Sequence, residues 1–72
     1  MMNSDLIVDS LLKGMRQGLK AIPEDALVKM VDEVSEYSEV SDETLDLMMR
    51  ASVKAMVVKA IRDEVDRRVL MA

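Results

Sequence analysis

The groups available for chemistry in this chain are carboxylates, lysines, six serines and Tyr37, because it contains neither histidine nor cysteine. Without histidine the commonest metal ligand and the commonest general base are missing. Without cysteine, disulfides and thiolate zinc sites are excluded. Asp32, Glu36 and Glu39 fall near one helical face and are the best candidates for a carboxylate pair. Catalysis by such a pair needs a cleft that drives the two pKa values apart, and three short helices leave little room for one. They read as a solvated acidic face. A calcium loop beginning at Asp32 sets Glu43 where the terminal bidentate glutamate belongs, but Val34 occupies a ligand position and Tyr37 the position of the glycine turn. A di-iron bundle needs Glu-x-x-His pairs, which the chain cannot supply. The expectation is a protein that is not an enzyme and takes no cofactor and no metal.

Asp9-Ser10-Leu11 resembles the Asp-Ser-Leu of acyl carrier proteins. There the serine begins a helix near mid-chain, whereas Ser10 falls inside the first helix, close to the N-terminus. No motif in the chain is long enough to identify a family.

The elements that carry these residues are legible from periodicity. Val8, Leu11, Leu12, Met15, Leu19 and Ile22 recur at helical spacing, with Asp9, Lys13, Arg16 and Lys20 opposite, which predicts a helix over 4–21. Asn3 or Ser4 is placed to cap it, and Pro23 ends it. Pro23 then opens a second helix, over 24–37, as a first-turn residue. Leu27, Met30, Val31, Val34 and Tyr37 form its single apolar stripe. Ser41 is a good N-cap for a third helix, and Asp42 and Glu43 suit its first turn. No glycine or proline interrupts the residues that follow, which predicts one long helix over 42–70. That helix is apolar on most of its circumference, since only Lys59 is polar between Ala55 and Ile61. A helix of this kind is buried on more than one side.

The fold class expected is all-α: a single domain, 1–72, of two shorter amphipathic helices packed along one long C-terminal helix. Two physical arguments extend this to a helical-bundle homodimer. A chain of 72 residues buries only about 60% of its unfolded surface and needs a staple, and with disulfides and metals excluded a partner chain remains. A straight helix of about 29 residues spans roughly 43 Å, against a diameter of roughly 30 Å for a domain with a radius of gyration of about 11 Å. The segment expected to meet a second copy or a partner is Ala55, Met56, Val57, Val58, Ala60, Ile61 and Val65. Ser10, Gly14 and Gly18 form a row of small residues, with Ala51 and Ala55 as counterparts for close helix packing. Each glycine costs a helix about 1 kcal/mol relative to alanine, so two of them call for close approach of another backbone.

Charge is distributed unevenly. From Pro23 to Asp46 nine acids stand against Lys29 alone, a net of −8, while from Leu47 onward six bases face three acids, a net of +3. Asp25, Asp32, Glu33, Glu36, Glu39, Asp42 and Glu43 make up the expected acidic surface. Such polarity favours antiparallel self-association and could steer a basic partner. The formal charge of −4 argues against direct contact with nucleic acid or an anionic membrane. No secretory signal and no membrane span is visible, so the expected location is cytoplasmic. The function expected is that of a small dimeric helical adaptor or inhibitor of a larger protein, of bacterial or phage type. Its partners are itself and another protein of unidentified nature. The alternatives are an accessory subunit or chaperone whose long helix a different chain covers, and an acidic nucleic-acid mimic.

Overall fold

A computed structural model describes residues 4–72, apart from the side chain of Ser4, and the capping roles expected of Asn3 and Ser4 lie outside it. Every element among the described residues is helical: α1 (Ser4–Leu19), α2 (Glu24–Glu33), a 3-10 turn (Ser35–Tyr37), α3 (Asp42–Met49) and α4 (Val53–Met71). The all-α class is as expected. The single long third helix is not, because it is broken into α3 and α4.

The break lies at Arg50–Ser52. Arg50 keeps helical angles and the Ala51 amide closes a tight turn on the Met48 carbonyl at 3.0 Å. Ser52 then turns extended, φ −145° and ψ 118°, and its hydroxyl accepts the Ala55 amide at 3.2 Å as the N-cap of α4. A serine side chain can satisfy a helix's free amides only from outside the helix, so it offers the backbone a start as readily as a continuation. Burial decides between them. An unbroken helix would carry Leu45 and Met49 away from the rest of the chain, whereas the break folds α3 back and buries both against Ala55, Met56 and Val58. The molecule still measures 41 Å along its longest axis, with a radius of gyration of 12.4 Å, so it stays elongated.

The other boundaries follow from local chemistry. α1 stops at Leu19, short of the expected residue 21, and Ala21 and Ile22 tighten its end through bonds to Gly18 and Leu19 carbonyls at 3.3 and 3.2 Å. Pro23 stands one position earlier than expected: with ψ 152° it is the N-cap of α2, and its carbonyl accepts the Leu27 amide at 3.1 Å. α2 ends at Glu33 rather than residue 37, and the backbone continues as the 3-10 turn. Ser41 caps α3 as expected, accepting the Thr44 amide at 3.2 Å and donating its hydroxyl to Thr44 Oγ1 at 2.9 Å.

α4 is the axis of the fold, covered by α1, α3 and part of α2. Bonds between α1 and α4, from Arg16 to Asp63 and from Arg68 to the Leu19 and Ile22 carbonyls, keep a steady separation of 46–49 residues. A constant offset means the two helices run parallel, so α2 and α3 form the crossover that returns the chain. Leu45, Ala55 and Ala60 are fully buried, with Leu12, Met56, Val58 and Ile61 nearly so. The two alanines bring neighbouring backbones close to α4, and the larger residues fill the space between them.

This corrects the expectation for the Ala55–Ile61 segment. Ala55, Met56, Val58, Ala60 and Ile61 are buried within one chain. They are covered because α3 folds over what a straight helix would have exposed. Val57 remains exposed and Val65 half-buried. The small-residue row is corrected too. Ser10, Gly14, Gly18 and Ala51 are exposed, and a Cβ at either glycine would meet nothing within 4 Å. Of the residues expected to pack closely, Ala55 alone does so inside the chain.

The cap at Ser52 is open to test. Ser52→Ala is expected to lower stability by about 1 kcal/mol. Ser35→Ala, at an exposed position with no side-chain hydrogen bond, is expected to change it by less than about 0.5 kcal/mol. Urea unfolding of the two variants measures both; equal effects would show that the break does not depend on its serine.

Candidate functional site: two apolar grooves beside helix α4

Among the described residues the buried charged group is Glu64, a carboxylate 2% exposed. Arg67 holds it through two parallel bonds, Nε to Oε1 at 2.9 Å and Nη2 to Oε2 at 2.8 Å. Arg68 Nε adds a third at 2.5 Å. The other arm of Arg68 donates to the Leu19 and Ile22 carbonyls, at 3.1 and 2.5 Å, and so serves the free carbonyls at the end of α1. Hydrogen bonds from Arg67 and then Arg68 outweigh burial and lower the Glu64 carboxyl from 4.5 to about 2. A carboxylate held permanently ionised by two guanidiniums is not a general acid or base at neutral pH. Its work is mechanical: it pins the C-terminal half of α4 to the end of α1.

Five other ion pairs engage five more cations. Arg16 and Lys59 share Asp63, Arg50 meets Asp5, Lys54 meets Glu36, and Arg62 bonds Asp42 at 3.1 Å and the Tyr37 carbonyl. Lys54 also lies over the Tyr37 ring, 5.5 Å from its centroid. All six bases after Leu47 are therefore engaged within the chain. The opposed charge blocks expected to drive antiparallel self-association are in good part used internally: Lys54 and Arg62 already take Glu36 and Asp42. The rest of the expected acidic surface, Asp25, Asp32, Glu33, Glu39 and Glu43, is exposed and forms no ion pair. Among the described residues, no three carboxylates are grouped to hold a metal ion.

Two apolar grooves flank α4. The first is a seam between α1 and α4, open to solvent at both ends. Ile7 and Leu11 of α1 face Val53 and Met56 near the turn, and Met15, Gly18 and Ile22 continue it on the following turns beside Val57 and Ala60, with Met30 of α2 closing the far side. Leu11 is 48% exposed and Val53 64%. The residues that line this seam from the α1 side, Ile7, Val8, Leu11, Met15, Gly18, Leu19 and Ile22, carry no charge, and Arg50 stands at its end near the turn.

The second groove, of about 240 Å³, lies between α2, the 3-10 turn and α4. Val31, Val34, Tyr37, Val58, Ile61 and Val65 form its apolar lining, with Asp32 and Asp66 also on it. Arg62 is present but turned to its own partners. Of the residues singled out in the sequence, this groove brings together Val58, Ile61, Val65 and Asp32. Tyr37 falls on the expected apolar stripe with Val31 and Val34, whereas the sequence assigns Asp66, Ile7 and Val53 to no surface, since their placement depends on how the helices cross α4. Glu64 had a visible signal in its spacing of three and four residues to two arginines on one helix.

Comparisons with protein-family models, with curated proteins and with solved structures found no match to this chain. Among the described residues no helix is long and apolar enough to cross a membrane.

Glu64 gives a pH test with a definite sign. Its carboxyl is lowered on folding, so its contribution is complete above 4.5 and is lost as pH falls toward about 2. Glu64→Gln should melt well below the parent chain at pH 7, and the gap should narrow between pH 4.5 and 2. Thermal melts of both chains across that range check it. A gap independent of pH would mean that charge is not what Glu64 contributes.

Proposed function

We propose that the chain is a non-enzymatic protein-interaction module, a small adaptor or inhibitor that pairs with a second copy through the α1–α4 seam. The observation that carries this reading is the uncharged, partly apolar edge of α1 in a chain one-third charged. A symmetric contact sets each surface against itself, so like charges within it repel, and a charge-free strip avoids that cost. Shape argues the same way. A two-fold axis centred between Gly14 and Met15 would set Leu11 of each copy opposite Gly18 of the other, and Ile7 opposite Ile22. A leucine over a glycine allows close helix approach, which gives the two exposed glycines the role they lack within one chain.

Gly18→Leu separates this reading from monomer stability. A side chain there meets nothing inside the chain, so the variant should gain up to about 1 kcal/mol from helix propensity. It should also fill the space that the opposing Leu11 requires. Light scattering is expected to give twice 8.1 kDa for the parent and 8.1 kDa for the variant. A parent chain that stays at 8.1 kDa over a roughly hundredfold concentration range would contradict the pairing. A Gly18→Leu dimer as tight as the parent would move it off the seam.

A further inference from the structure

Internal pairing changes the charge this molecule shows to its surroundings. Seven of the ten bases are in ion pairs, but only five of the fourteen acids are. Nine acids are left against Lys13, Lys20 and Lys29. The free charge is therefore far more one-sided than the net of −4, and two of those nine acids, Asp32 and Asp66, stand on the groove between α2 and α4. The groove's only cation, Arg62, is bound to Asp42 and to the Tyr37 carbonyl, so it does not neutralise them.

We propose that this groove binds a basic amphipathic segment of another protein, a helix whose apolar face covers Val31, Ile61 and Val65 while lysines or arginines on its flanks meet Asp32 and Asp66. The apolar lining supplies contact area, and the two unpaired carboxylates set the orientation and the charge of the partner. Phosphate-rich partners are repelled by the same carboxylates. A second copy of this chain is a poor occupant, since its bases after Leu47 are already engaged and its free cations are three scattered lysines. The proposal shares with the preceding section the premise that the chain acts by binding polypeptides. It uses a different surface and does not need self-association.

The test uses the whole chain and two synthetic helical peptides of about fifteen residues. Both carry the same leucine face, one with lysine flanks and the other with glutamate flanks. Amide shift mapping with the lysine peptide should move Val31, Val58, Ile61 and Val65, and affinity should fall as salt rises. The glutamate peptide should bind at least about tenfold more weakly. Asp32→Lys with Asp66→Lys should reverse the preference, and Asp32→Asn with Asp66→Asn should remove it. Both pairs of changes are at exposed positions. Equal binding of the two peptides, binding of neither, or shifts confined to the α1–α4 seam would overturn the proposal. The dimer measurement of the preceding section is unaffected by any of these, so the two readings fail separately.

Discussion

The turn at Arg50–Ser52 is the constraint on which the rest of this structure depends. α4 is apolar around most of its circumference from Val53 to Ile61, and a short chain has little else to cover it. Reversing the backbone at Ser52 supplies the cover from the chain's own α3, with Leu45 fully buried as the central contact. α1 covers another side in parallel, and that arrangement requires α2 and α3 to serve as the crossover. One serine cap thus links the topology to the closure of the core.

Closing the core in this way determines what is left at the surface. α1 and α2 diverge from α4 on either side, and each divergence leaves an apolar groove. The electrostatics separate the two grooves. Glu64 takes two arginines into the junction of α1 and α4, and Asp63, Asp42, Glu36 and Asp5 take five more cations. What remains is a seam whose α1 residues are uncharged on one side and an apolar groove carrying two carboxylates on the other.

Much of this was legible in the sequence. The stripe Val8, Leu12, Met15 and Leu19 identified the buried face of α1, and Ser41 with Asp42 and Glu43 identified the start of α3. The break at Ser52 is not legible in the sequence, because no glycine or proline marks it and a serine between Ala51 and Val53 signals a helix start only when burial favours one. That gap carries forward. A straight helix leaves Ala55–Ile61 uncovered, although Ala55, Met56, Val58, Ala60 and Ile61 are buried. The two glycines stand out in the sequence as costly in a helix, but the sequence does not say whether a backbone approaching them belongs to the same chain or to another. The charge blocks were read as opposed surfaces, whereas side-chain reach across the fold pairs Lys54 with Glu36 and Arg62 with Asp42. Pairings of that kind depend on helix crossing, which periodicity does not encode.

The central claim is that one chain completes its own core and keeps its apolar grooves for others. Native-state amide hydrogen exchange measured at successive dilutions tests it most directly. The account predicts that, once the chain is diluted until light scattering gives 8.1 kDa, the amides of Val58 to Ile61 are still among the slowest to exchange. Loss of their protection in the 8.1 kDa species would contradict it, because the core would then be completed by a second chain.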